Sequence, residues 1–139
     1  MMLKTDLWSV WVANRIYKMK PILAQELDIF LKRFDNFNGG EFRSIEILSP
    51  TNIIVTLSGQ DGARAFDWVT IKLELNGVSD AKLLEGSKLF MLDMSDGISI
   101  INDNKHFAFG IGKCTTLSSL KNSICYIICS SLKYQEGSF

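Results

Sequence analysis

Between Ile22 and Phe34 the apolar residues recur three and four positions apart. Ile22, Leu23, Leu27, Phe30, Leu31 and Phe34 form one stripe, and Gln25, Glu26, Lys32 and Arg33 fill the rest of the wheel. This spacing predicts an amphipathic helix. Pro21 precedes it and is read as its start, because the N–H that proline lacks is one the first helical turn leaves unpaired. The run Asp35-Asn36-Phe37-Asn38-Gly39-Gly40 ends it, since asparagine and glycine tolerate the positive φ of a helix terminus. Upstream, Leu7, Trp8, Trp11, Val12 and Tyr17 fall at mixed three- and four-residue spacings and predict a further helical piece.

After Gly40 the period changes to two. Ile45 and Ile47 alternate with Ser44, Glu46 and Leu48, and a turn follows at Ser49-Pro50-Thr51-Asn52. Ile53, Val55 and Leu57 then share one face, so the two runs read as a hairpin. A second turn is predicted at Ser58-Gly59-Gln60-Asp61-Gly62. Beyond it Val69, Ile71, Leu73 and Leu75 alternate with Trp68, Thr70, Lys72 and Glu74 up to Asn76-Gly77, a dipeptide suited to turns. Shorter strands are expected at Ala81–Leu84, Leu89–Leu92, Ile98–Ile101 and Phe107–Ile111. The apolar run from Ile124 to Leu132 fits a buried strand or a short helix, and its Ile and Tyr content favours the strand. The expected fold is α+β in one domain over 1–139. Residues 1–38 are mainly helical and 41–134 mainly antiparallel strands, with the N-terminal helices packed on a β-meander sheet.

Composition narrows the function classes. Hydrophobic residues are 47% and charged residues 22% of the chain, a globular rather than a disordered balance. Formal net charge is zero, so the basic excess expected of a nucleic-acid partner is missing. Its distribution is uneven: residues 41–103 carry ten acidic and five basic side chains, and the flanking segments carry an excess of base. An acidic block of this kind can steer a basic protein partner. No apolar run approaches the roughly 20 residues needed to span a bilayer, so no membrane role is expected. Residues 1–20 lack an apolar core followed by a small-residue cleavage site, so no export signal is expected either. The cysteines Cys114, Cys125 and Cys129 are odd in number and confined to the last quarter. They read as reduced thiols of a cytoplasmic protein.

No catalytic set, metal site or cofactor site emerges. His106 is the sole histidine and has no second histidine for a zinc pair. Cys125 and Cys129 are four apart without a CxxC, among strongly apolar neighbours. Asp93-Met94-Ser95-Asp96-Gly97 begins like a calcium loop, but glycine comes at the fifth position and no glutamate follows at the twelfth, so a tight turn is expected. Asp61, Asp67, Glu74 and Asp80 could supply an acid and a base only if two of them converged. The glycines match no phosphate-binding pattern. What stands out is the supply of large anchors, Trp8, Trp11, Trp68 and nine phenylalanines, residues that dominate both cores and interfaces.

Phe66-Asp67-Trp68 at a strand start, Gly77-Val78 with Asp80-Ala81 after the turn, and Leu92-Asp93-Met94-Ser95-Asp96-Gly97 all fall between residue 58 and about residue 102. This third of the chain resembles the middle of small bacterial immunity proteins that neutralise polymorphic toxins, including those of contact-dependent growth inhibition. The resemblance implies a non-enzymatic, cofactor-free cytoplasmic inhibitor that binds one cognate toxin domain, for instance a nuclease. Under it, Asp61, Asp67, Asp93 and Asp96 are the expected partner-binding residues, with Trp68 as an apolar anchor. Immunity proteins against nucleases are often acidic overall. The neutral charge of this chain points to a weakly charged toxin or to apolar contacts. The alternatives are a small-molecule-binding or accessory domain that uses the helix and a sheet face, and a small enzyme with a carboxylate site.

Overall fold

The computed structural model describes residues 19–138, and the helical piece expected around Leu7–Tyr17 lies outside them. Among the described residues, nine strands form two antiparallel sheets. The first is ordered β1-β9-β4-β3-β2 and joins Lys20–Ile22, Ser131–Ser138, Asp67–Asn76, Asn52–Asp61 and Glu41–Ser49. The second is ordered β5-β8-β7-β6 and joins Asp80–Lys82, Tyr126–Cys129, His106–Ile111 and Ile98–Asp103. The described residues are therefore mixed α and β, but their strands do not form one meander with the helices gathered at its N-terminal end. Their helices are short and interspersed, and their strands divide between two sheets. No helix among the described residues is long and apolar enough to cross a membrane.

Period-2 patterning explains the two inner faces. Val69, Ile71, Leu73 and Leu75 of β4 are buried against Ile53, Val55 and Leu57 of β3, and the register runs from Asn52 opposite Asn76 to Asp61 opposite Asp67. Phe107, Phe109 and Ile111 of β7 and Ile127 and Cys129 of β8 point into the same core. The opposite positions, Ala108 and Ile128, pack under Leu120 of helix α2, Leu117–Lys121. Gly110 allows that approach, because a Cβ there would lie 2.8 Å from Leu120 Cγ. This helix was not expected. Its local signal is Thr116-Leu117-Ser118-Ser119, a reciprocal capping box in which Thr116 Oγ1 accepts from the Ser119 amide and Ser119 Oγ from the Thr116 amide.

Helix α1, Leu27–Arg33, carries the predicted stripe: Leu27, Phe30 and Leu31, continued by Phe34, are buried. Phe30 packs on Phe34 and on Tyr134 of β9, with ring centroids 5.2 and 4.9 Å apart. Pro21 does not start the helix; it lies in β1, opposite Lys133. β1 is an edge strand, where a residue without an N–H removes no ladder bond on the open side. After α1 the backbone is left-handed through Asp35, Asn36 and Phe37, with φ of 50°, 54° and 57°. Asp and Asn adopt this conformation readily, but for phenylalanine it is strained. Burial compensates: Phe37 is fully enclosed, stacks on Phe34 at 5.1 Å, and lies over Gly59, where a Cβ would come within 2.9 Å of its ring.

Three further expectations are corrected. Ser58 to Asp61 is not a turn but the end of β3, and the chain reverses at 62–66 instead. Leu89–Leu92 is not a strand; Gly86–Met91 is a 3-10 helix, with Leu89 as its only buried residue. The run from Ile124 does contain a strand, β8, but it breaks at Ser130 before β9. There the Ser130 amide and hydroxyl both donate to the Asn76 carbonyl oxygen, at 2.9 and 3.1 Å. Gly77, with φ of 68°, lies beside Ser130 and admits no side chain. At this corner β4 continues into β5 while β8 continues into β9, so two paired segments cross from one sheet to the other together.

Candidate protein-binding surface

Asp61 ends β3 facing inward, with a side-chain exposure of 1%. Arg33 of α1 meets it with a two-point fork: Nε donates to Oδ1 at 2.8 Å and Nη2 to Oδ2 at 2.7 Å. The Ala63 amide donates to Oδ1 at 2.9 Å, and the Phe66 amide donates to the Asp61 carbonyl at 2.9 Å. Glu136 of β9 closes the ring, 2.7 Å from Arg33 Nη1 and 3.0 Å from Arg64 Nη2. The charge-assisted bonds from Arg33 hold the Asp61 carboxyl below the usual carboxylate range, against the opposing effect of burial. Sequence reading placed Asp61 on a partner-facing turn. Its carboxylate is instead consumed inside the fold, where it ties α1, the β3–β4 connection and β9 together.

The connection that Asp61 pins is left-handed at Ala65 and Phe66, with φ of 53° and 65°. Phe66 is 67% exposed. Asp67 is exposed at the start of β4, and Trp68, 40% exposed, follows on the sheet face shared by Thr70, Lys72 and Glu74. Asp67 and Trp68 thus sit at one corner, beside the buried Asp61.

Asp93 and Asp96 belong to a different structure, the excursion of residues 83–97 between β5 and β6. Two apolar plugs hold it to the core, Leu89 and Met94, both buried. The Met94 carbonyl also accepts from the amides of Gly39 at 2.7 Å and Gly97 at 2.9 Å. Gly97, with φ of 63°, touches the Asn36 carbonyl, so the left-handed turn supports the excursion from below. Between the plugs the chain points outward. Phe90 is 82% and Met91 71% exposed, side by side, with Asp93 and Asp96 exposed just beyond. The Ser95 amide donates to Asp93 Oδ1 at 2.9 Å, and this bond lowers the Asp93 pKa.

Phe90 itself lines a cleft of about 460 Å³, together with Gly40 to Arg43 at the β2 start and with Gly86, Leu89, Leu92 and Met94. A second groove, about 330 Å³, places Asp96 with Asn36, Asn38, Ser99, Lys113 and Cys114 over Leu31, Ile98 and Ile100. Phe90 and Met91 were missed in the sequence because Leu-Phe-Met-Leu reads equally well as a strand, and no local signal marks which of the four faces water. The predicted residues accordingly split three ways: Asp61 inside, Asp67 and Trp68 at one corner, Asp93 and Asp96 beside the apolar pair on the excursion.

Other chemistry-bearing groups are dispersed. Burial pushes the thiol of Cys125 up to about 11 and that of Cys129 to about 12, so both stay protonated at neutral pH. Among the described residues no group of three or more His, Cys, Asp or Glu side chains is placed to hold a metal ion. Comparison with protein-family models, with curated proteins and with solved structures finds no match.

Proposed function

We propose that this protein is a toxin-neutralising immunity protein, a cytoplasmic, non-enzymatic binder that occludes one cognate toxin domain, and that the 83–97 excursion is its contact surface. The carrying observation is the exposed pair Phe90 and Met91, fixed between two buried plugs and bordered by Asp93 and Asp96. Large apolar side chains held outward on an anchored segment cost free energy unless a partner covers them. Aromatic residues and methionine are enriched at such interfaces, Met because its flexible thioether adapts to irregular pockets. The neighbouring carboxylates suit a partner with basic groups around an apolar pocket, and would act mainly on approach rate and orientation. Asp67 and Trp68, at the separate corner beside Asp61, are not part of this proposed surface.

The test is co-expression and titration with the product of the gene directly upstream, where this reading expects the cognate toxin. A central hot-spot side chain is worth on the order of 2 kcal/mol. The double variant Phe90→Ser, Met91→Ser is therefore expected to weaken binding on the order of a thousandfold and to abolish protection. Retention of both with the variant would remove the surface from consideration. A second reading, a small-molecule site, is favoured by the groove that brings Asp96, Lys113, Asn36 and Asn38 over an apolar floor. A ligand that raises the thermal midpoint of the parent protein but not of Asp96→Ala, Lys113→Ala would support it.

A further inference from the structure

We propose that the groove at the foot of the excursion binds a small zwitterion with an apolar side chain, of which a free apolar α-amino acid is the simplest member. The inference rests on the small-molecule reading of this groove and names its ligand class; it is independent of the toxin-binding surface. The floor is Leu31 of α1 with Ile98 and Ile100 of β6, all buried. Around it stand Asn36, Asn38, Asp96, Lys113 and Thr115, all exposed. Among the described residues, none of these side chains makes a hydrogen bond or an ion pair of its own. Polar groups with unused bonding capacity converging on an apolar floor are the usual make-up of a ligand site. The volume of about 330 Å³ lies at the low end for such sites, which suits a ligand of amino-acid size rather than a nucleotide.

The two charges select the ligand. Asp96 and Lys113 are of opposite sign and line one groove, yet they do not pair with each other. A neutral ligand leaves both unanswered. An anion drawn to Lys113 also meets Asp96, and a cation drawn to Asp96 also meets Lys113, so a ligand of one sign is opposed by the like charge. A zwitterion answers both, its carboxylate toward Lys113 and its ammonium toward Asp96, and the asparagine amides can donate to the one and accept from the other. The walls are already set. Asn36 is held on left-handed backbone, with φ of 54°, and its carbonyl abuts Gly97. On the other side Ser99 Oγ donates to the Gly112 carbonyl at 2.6 Å and accepts from the Cys114 amide at 2.9 Å, which fastens the loop bearing Lys113 to β6. An entering ligand therefore has neither wall to order. Exposed charge contacts are individually weak, so a dissociation constant on the order of 1 mM is expected.

Amide NMR titration of the full chain with L-leucine tests this, alongside three truncated probes. Isocaproate lacks the ammonium, isoamylamine lacks the carboxylate, and glycine lacks the side chain. Leucine is expected to shift the side-chain amide signals of Asn36 and Asn38 and the backbone signals of Asp96 and Lys113. Isocaproate and isoamylamine are each expected to bind roughly tenfold more weakly, having lost one charge contact and kept one like-charge opposition. Glycine is expected to bind at least tenfold more weakly, having lost the apolar contact. The double variant Asp96→Asn, Lys113→Gln alters only exposed side chains and should keep the parent circular-dichroism spectrum. It is expected to lose the preference for leucine over isocaproate and isoamylamine, a change that a merely structural role would not produce. The proposal is overturned by the absence of leucine shifts at the groove, by a single-charge probe that binds as tightly as leucine, or by a preference that persists in the double variant. A single-charge probe that wins leaves the small-molecule reading standing and removes the zwitterion. Absence of shifts at the groove with all four probes, together with no thermal stabilisation by any ligand class, removes both.

Discussion

The corner at Asp61 and the excursion at 83–97 each hold a phenylalanine ring in water, and they differ in what does the holding. At the first, a buried carboxylate gathers two arginines and one backbone amide, and Phe66 is left on a left-handed backbone. At the second, Leu89 and Met94 sink into the core and Phe90 rides between them. A charge clamp fixes direction through a few strong, oriented bonds that respond to protonation. Apolar plugs fix position through area and shape, and respond to the removal of volume. The first segment should therefore be stiff and acid-sensitive, and the second less acid-sensitive, since its shifted carboxylate, Asp93, is exposed, and easier to open locally.

The largest effect is expected from Asp61→Ala, about 3 kcal/mol of destabilisation by urea titration. That is the low end for breaking a buried pair, because Glu136 still faces Arg33. The clamp also sets a pH dependence. The native pKa of Asp61 lies below its unfolded value, so its contribution is fully present above the ordinary carboxylate range near about pH 4 and is lost as pH falls through the depressed value. Asp61→Asn should flatten this acid limb; an unchanged limb would show that the clamp does not carry it.

Next in size is Met94→Ala, at about 2 kcal/mol, the lower part of the range for a buried methionine. Its sharper consequence is local. Leu84, at the root of the excursion, packs against the core cluster that contains the buried Cys125, so thiol labelling at Cys125 reports whether the excursion has lifted. Labelling should be faster in Met94→Ala than in Asp61→Ala when the two are compared at equal global stability. Equal rates would mean that both regions open only when the whole protein unfolds. The smallest effect is expected from Phe66→Asn, a gain of roughly 0.5–1 kcal/mol from a residue that tolerates the left-handed region, read as a higher urea midpoint. A loss of stability would show that the Phe66 ring is packed by more than its clamp.

Residues whose neighbours alternate were legible in the sequence. β3 and β4 follow from period-2 patterning, and the stripe of α1 from its 3.6-residue spacing, because one side of each faces the core; in β2 the alternation of Ile45 and Ile47 marked a strand but not a buried face, since Ile47 is exposed. Ser58 to Asp61 misled because Gly59 and Asp61 resemble a turn. Gly59 is there to admit the Phe37 ring, and Asp61 to meet an arginine 28 residues away, and neither reason is local. Asp93 was placed correctly on a tight turn, since its bond to the Ser95 amide is short-range. Phe90 could not be assigned to solvent by pattern, because which member of Leu89–Leu92 turns inward depends on where Met94 meets Gly39.

The shared corner at Asn76 and Ser130 bears on how the protein is made. β9 lies between β1 and β4, so among the described residues Lys20–Ile22 finds its strand partner only in Ser131–Ser138. On the ribosome the first sheet stays incomplete, with the open flank of β4 unpaired, until that stretch emerges. Pairing between such distant segments is slow, and the waiting edge is a template for wrong partners. Nascent chains stalled before Ser131 should accordingly be bound by chaperones, and release of the last strand should be the event that ends that binding.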